Sequence, residues 1–150
     1  MALEQQHGDY LISDDPRRLE VDAVHAYLHR SYWAEGIPRE TVARSVENSL
    51  CVGAYMATGS QVGLARIISD YATYAYLCDV YVLESHRQQG LAKALMRFVT
   101  EHPRLQGLRR FSLITQDAHP LYAQFGFTPI ANPDRHMARL TPGVYKRTRQ

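Results

Sequence analysis

A chain of 150 residues suits one domain spanning 1–150, and with 45% hydrophobic residues it is large enough to bury a substantial core. A formal net charge of +2 is too slight to mark a nucleic-acid binder, and no apolar run approaches a membrane span or a signal peptide. The expectation is a cytoplasmic protein with neither a nucleic-acid nor a membrane partner, whose two cysteines, Cys51 and Cys78, sit in apolar runs as reduced thiols.

The first ten residues are polar, and the first predicted element is a helix over 19–33, where Val21, Val24, Leu28 and Tyr32 keep helical spacing. A loop with Gly36 and Pro38 leads to a second helix over 41–49, with Val42 and Val46 on one face. Three strands follow over 50–57, 62–69 and 76–83, separated by Thr58-Gly59-Ser60 and Asp70-Tyr71-Ala72-Thr73, and they predict an antiparallel meander. Leu91, Leu95, Phe98 and Val99 then fall at i, i+4, i+7 and i+8 of a helix that Pro103 stops. A strand over 110–115, a short helix holding Tyr122 and a final hairpin pairing 127–130 with 136–140 complete the order. Lys146, Arg147 and Arg149 read as a solvated tail. The fold class so predicted is mixed α/β, a mostly antiparallel central sheet with helices on both faces.

Chemistry concentrates in Val80-Tyr81-Val82-Leu83-Glu84-Ser85-His86-Arg87-Gln88-Gln89-Gly90-Leu91-Ala92-Lys93, a β-branched strand running through Arg-x-x-Gly-x-Ala into a helix. Glycine at the first helical turn leaves backbone N–H groups open to a ligand, and the helix dipole adds partial positive charge there, which suits a pyrophosphate. The spacing excludes a Walker P-loop and a three-glycine dinucleotide fingerprint. About thirty residues on, Phe111-Ser112-Leu113-Ile114-Thr115 leads to Ala118-His119-Pro120-Leu121-Tyr122-Ala123-Gln124-Phe125-Gly126-Phe127.

Together the two segments resemble the GNAT superfamily of N-acetyltransferases. The resemblance implies acetyl-CoA as co-substrate, no metal, and a small-molecule or peptide amine as acceptor. It assigns the pyrophosphate to Arg87, Gln88, Gln89, Gly90, Leu91, Ala92 and Lys93, and the pantetheine arm and thioester oxygen to the backbone of Val80, Tyr81 and Val82. Tyr122 becomes the proton donor to the departing thiolate. Ala92 stands where many members have glycine, and Gln116-Asp117 where many have asparagine, so Asp117 is carried as a cofactor contact.

An acid inside an apolar strand is costly unless paired, so Asp79 is either a base that takes the amine proton or the ion-pair partner of Arg66. Strict alternation places Leu77, Asp79, Tyr81 and Leu83 on one face, and Arg66 with Val62, Leu64 and Ile68. Trp33 and Glu35 between the first helices, Arg66, and the loop residues Asp70 and Tyr71 are the candidates for the acceptor side, where aromatic rings beside carboxylates suit a cationic amine. Glu84 and His86 read as solvated turn residues, and His25 and His29 as one face of a helix without a third metal ligand. A catalytically silent acyl-CoA sensor on the same scaffold is the alternative function, and an exposed final hairpin would make a homodimer unsurprising.

Overall fold

The structure, a computed structural model, describes residues 1–146, so Arg147 and Arg149 of the basic tail lie outside the described residues. Within them one six-stranded sheet runs in chain order, β1 (Glu4–His7), β2 (Tyr10–Ser13), β3 (Leu50–Met56), β4 (Gln61–Ser69), β5 (Tyr74–Val82) and β6 (Arg110–Leu113). The first five strands are antiparallel, which bears out the meander and extends it. The polar first ten residues are not a bare tail. Gly8 at φ 57° and Asp9 close a two-residue turn, and His7 pairs with Tyr10 across it.

The sheet separates two apolar clusters. On one face α3 (Leu91–Thr100) buries Leu91, Leu95, Met96 and Val99 against Val52, Val62, Ile67 and Leu77. On the other, α1 (Val21–Leu28) and α2 (Arg39–Glu47) bury Val24, Leu28, Val42 and Val46 against Cys51, Leu64 and Tyr81. The first helix is shorter than its predicted 19–33 because the Ser31 hydroxyl donates to the Leu28 carbonyl at 2.7 Å and accepts from the Ala34 N–H at 3.1 Å. That local bonding competes with the helical ladder and turns the chain.

Two β-bulges overturn the strict alternation. Ala54 pairs with Gly63 but Tyr55 pairs with Gln61, so Val62 is an extra residue and faces α3 while Leu64 and Arg66 face α1 and α2. Arg66 pairs with Cys78 and Leu64 with Tyr81, so β5 carries one residue more than β4, and Asp79 takes φ 53°. Leu77 and Tyr81 consequently lie in opposite clusters. Cys51 and Cys78 flank Arg66 from either side, two strand spacings or about 10 Å apart, farther than a disulfide spans.

A parallel neighbour needs a crossover, and α3 supplies it between β5 and β6. After β6 comes α4 (His119–Ala123), and Phe127 then packs edge-on against Phe111 at 5.4 Å between centroids. The predicted hairpin of 127–130 with 136–140 does not form; residues 133–135 make a single 3-10 turn and the flanking chain is irregular and exposed. Pro129, inside the first of those segments, removes a donor that such a ladder would need. The sheet edges available to a second copy are therefore β1 and β6, not a hairpin.

Tyr55 is 1% exposed, no group among the described residues bonds its hydroxyl, and its ring lies where a Cβ on Gly53 would collide with that hydroxyl. Tyr55→Phe keeps the ring and removes a buried polar atom, so denaturant unfolding should show equal or higher stability, by at most about 1–3 kcal/mol. Gly53→Ala should destabilise, since the displaced Tyr55 ring has no free volume to enter.

Candidate active site

β5 and β6 pair only from Tyr74 and Arg110 to Leu77 and Leu113, beyond which the strands part. A cleft of about 1080 Å³ opens in the gap, floored by Cys78 to Val82 and walled by α1 on one side and by Leu113 to Ala118 on the other. Over the stretch where Asp79 bulges, β5 has no paired strand on its β6 side, and Asp79 and Val80 have no paired residue on β4 either. Val80, Tyr81 and Val82 all line the cleft.

At the end of β5 a 3-10 turn over Glu84–His86 leads into the Arg-x-x-Gly-x-Ala motif. Arg87 holds that turn in place, its Nε donating to the Val82 carbonyl at 3.0 Å and its terminal nitrogen to the Tyr27 hydroxyl at 3.2 Å. Gln88 at φ 64° and Gly90 at φ 77° are both left-handed, and α3 starts with no side-chain cap. A non-glycine residue in that region costs about 1–2 kcal/mol, and such strain collects at ligand sites. The unpaired N–H groups of the first turn of α3 face the same cleft through Gly90, Leu91, Ala92 and Lys93. Gln88 lines it as well, whereas Gln89 is held from behind by His7, whose Nε2 stands 2.8 Å from the Gln89 carbonyl.

Across the gap, the Thr115 hydroxyl accepts from the Ala118 N–H at 3.1 Å and bends the chain so that Asp117 and Tyr122 border the cleft. Tyr122 is 9% exposed and meets Phe127 edge-on at 6.2 Å. Burial pushes its phenol pKa up to about 12, with smaller contributions from Tyr32 and Asp117, so the hydroxyl keeps its proton. Glu84 moves the opposite way. Both its oxygens accept from the Arg30 guanidinium, at 2.7 and 2.8 Å, and that bonding lowers its pKa to about 2. A carboxylate held so firmly ionised is a poor proton acceptor.

Asp79 is occupied on both oxygens, one accepting from Trp33 Nε1 at 2.8 Å and the other from Arg66 Nε at 2.7 Å. The Arg66 and Asp79 side chains are only 15% and 8% exposed, and Arg66 donates further to the Ser49 hydroxyl at 3.0 Å. Trp33 reaches the cleft, as do Tyr27, which stacks on Tyr81 at 4.0 Å, and Tyr32. Arg66 stands behind the wall, and Glu35 is outside the lining. Asp70 and Tyr71 also lie elsewhere. The Asp70 carboxylate caps its own loop through the N–H groups of Ala72, Thr73 and Tyr74, and Tyr71 lies beneath the Arg104 guanidinium at 3.7 Å beside a second cavity. Sequence reasoning passed over Tyr27 and Arg30, whose signal was a helical face that also carries Tyr32-Trp33. No group of three potential metal ligands occurs among the described residues, and His25 bonds the Ile37 carbonyl at 3.0 Å.

Residues 12–127 match the Acetyltransferase (GNAT) family. A curated protein of Gibberella zeae named "Putative acetyltransferase" is 34% identical, over 78% of this chain and 77% of that protein. The crystal structure of a GNAT-family protein from Xanthomonas campestris pv. campestris is 49% identical and superposes with a TM-score of 0.89 over 93% of this chain and 99% of that one. A protein of unknown function from meticillin-resistant Staphylococcus aureus, at 23% identity, shares the fold with a TM-score of 0.71 over 88% of this chain and 98% of its own.

Proposed function

The chain belongs to the acetyltransferase (GNAT) family, and on that premise we propose that it transfers the acetyl group of acetyl-CoA directly to a primary amine of a small molecule or peptide in a ternary complex. The observation that carries this reading is the convergence on one cleft of the left-handed Gln88–Gly90 turn, the free edge of β5 and the protonated Tyr122.

The turn and the first N–H groups of α3 receive the pyrophosphate, and Lys93, exposed at the cleft, adds charge. The open edge of β5 accepts the amides of the pantetheine arm as an added strand would be accepted. At the bulge, where Val80 is paired with no residue of β4 or β6, its main-chain N–H is the donor for the thioester oxygen as that oxygen gains negative charge. The neutral amine forms the new C–N bond, the C–S bond breaks, the nitrogen gives its proton to water, and Tyr122 protonates the departing sulfur and regains a proton from solvent. No enzyme nucleophile is needed, because positioning two substrates supplies about 7–11 kcal/mol of the barrier. Asp79 acts as a positioning group that holds Trp33 in the acceptor wall, since both its oxygens already accept from protein donors. The aromatic wall of Tyr27, Tyr32 and Trp33 suits an acceptor with apolar bulk around its amine. Among the described residues no helix is long and apolar enough to cross a membrane, and a cytoplasmic site of action, where acetyl-CoA is made, fits this reading.

Calorimetric titration with acetyl-CoA, paired with thiol release over a panel of amines and peptide N-termini, tests the proposal. Turnover supports it; binding without turnover for any acceptor supports the silent sensor instead. In Gly90→Val the side chain must adopt φ 77° with its Cβ 3.2 Å from His7 Nε2, which spoils the turn locally. Acetyl-CoA affinity should fall about 10- to 100-fold, the worth of one or two charge-assisted hydrogen bonds. A folded Gly90→Val protein with unchanged affinity would remove the cofactor assignment.

A further inference from the structure

Two hydrogen bonds tie the tip of the N-terminal hairpin to the cofactor turn across more than seventy residues of sequence. His7, the last residue of β1, places Nε2 2.8 Å from the carbonyl oxygen of Gln89. Tyr10, the first residue of β2, places its hydroxyl 2.9 Å from Nδ1 of His86, and the two rings meet edge to face at 5.7 Å. Because a carbonyl only accepts, His7 is the donor, and a Tyr10 hydroxyl donating to Nδ1 leaves the His86 proton on Nε2. The contact is close: a Cβ on Gly90 would stand 3.2 Å from His7 Nε2.

The peptide plane gives the first bond its consequence. In a trans peptide the C=O of one residue and the N–H of the next point in opposite directions. Anchoring the Gln89 carbonyl on the hairpin therefore aims the Gly90 N–H away from the hairpin, and Gly90 is a cleft residue. Gln88, one position earlier, is a non-glycine residue at φ 64°, a conformation that persists only when its surroundings over-determine it. Inside the turn, Arg87 grips the Val82 carbonyl; outside it, the hairpin grips at His86 and Gln89.

We propose that His7 and Tyr10 are positioning residues for the cofactor turn: the hairpin tip presets the Gly90 N–H and the left-handed Gln88 to receive a pyrophosphate, without either side chain touching it. This inference rests on the acetyl-CoA reading above. It gives the polar N-terminal strands a task in the site and makes residue 90 glycine for two reasons, its backbone angle and the ring of His7.

The test uses the full chain with His7→Ala, Tyr10→Phe, the double variant and His7→Gln, which retains an amide donor. Acetyl-CoA titration should show affinity lowered about 2- to 10-fold in each single variant, the range of one net hydrogen bond, and further in the double variant. KM for acetyl-CoA should rise with kcat unchanged, and His7→Gln should recover part of the loss. In the ligand-free protein, amide hydrogen exchange at Gln88 to Leu91 should quicken in His7→Ala while α3 beyond it stays protected. If the parent binds acetyl-CoA and the variants bind it equally well, the hairpin has no positioning role. Variants whose kcat, KM and thermal midpoint all shift together would reduce the hairpin to general structural support and also overturn the proposal. A parent that fails to bind acetyl-CoA would sink the cofactor reading itself, while the exchange experiment would still report whether the latch orders the turn.

Discussion

Tyr122→Phe should turn over about 10²–10⁴-fold more slowly than the parent with its acceptor, because on the proposed mechanism the substitution removes the general acid and keeps the ring. The ring stays, and with it the packing against Phe127 and the rest of the cluster that Tyr122 joins on the α3 side of the sheet. Acetyl-CoA affinity and thermal midpoint should therefore match the parent's closely, so that the loss appears in kcat. Its pH dependence follows from the raised pKa of about 12. An acid whose pKa is raised holds its proton to higher pH than an ordinary tyrosine, so Tyr122 imposes no alkaline fall in kcat up to about pH 10, the ordinary tyrosine value. The acid limb, which reports deprotonation of the amine, should keep its position in Tyr122→Phe while the plateau drops. A variant that turns over at the parental rate would make Tyr122 a core aromatic.

The second large effect falls on stability. Asp79→Ala strips Arg66 of its partner in a setting where that side chain is 15% exposed, and an uncompensated charge so placed costs about 3–5 kcal/mol. For a chain of this size that lowers the thermal midpoint by about 6–20 °C. Trp33 loses the acceptor of its indole N–H as well, so the acceptor wall should loosen and KM for the amine should rise. Replacing both partners by apolar side chains, Asp79→Leu with Arg66→Met, should recover most of the stability, since the penalty arises from the stranded charge and not from loss of a strong bond. Asp79→Asn separates the two roles considered for the residue. With the carboxylate positioning Trp33 and Arg66, the variant loses stability and keeps the pH profile of kcat/KM; retained stability with a displaced acid limb would restore Asp79 as the base.

Much of the fold was legible because its signals are local. Helical spacing of Leu91, Leu95, Phe98 and Val99 marks α3 wherever it docks, and β-branched runs mark β3, β4 and β5 whatever their order. The Arg-x-x-Gly-x-Ala turn was legible for the same reason: a glycine at a strand-to-helix junction is a signal of a few consecutive residues, and the structure places it there with Gly90 at φ 77°. Short-range composition misled at the two ends. Glu4–His7 looks too polar for a strand, yet as an edge strand it has one neighbour and needs no apolar face. The stretch 127–140 has strand-like residues, but Pro129 takes a donor from the ladder it would need.

By itself the sequence determined the three central strands and α3, and it marked the Arg-x-x-Gly-x-Ala turn and Tyr122 as two segments, which the fold brings to one cleft. Only the tertiary structure decided how the side chains between those motifs are used. Alternation is a rule of a regular ladder, and a single extra residue at Asp79 reverses it, which sends Leu77 and Tyr81 to opposite faces and brings Asp79 between Arg66 and Trp33. Asp70 bonds to its own loop, Glu84 to Arg30 and Asp79 to two donors at once, so three acids whose partners the sequence does not give have different work in the fold. Hydrogen bonds from His7 to Gln89 and from Tyr10 to His86 span 82 and 76 residues, and no local pattern encodes them. A contact of that kind exists only once the sheet has closed and brought its first strands beside its cofactor turn.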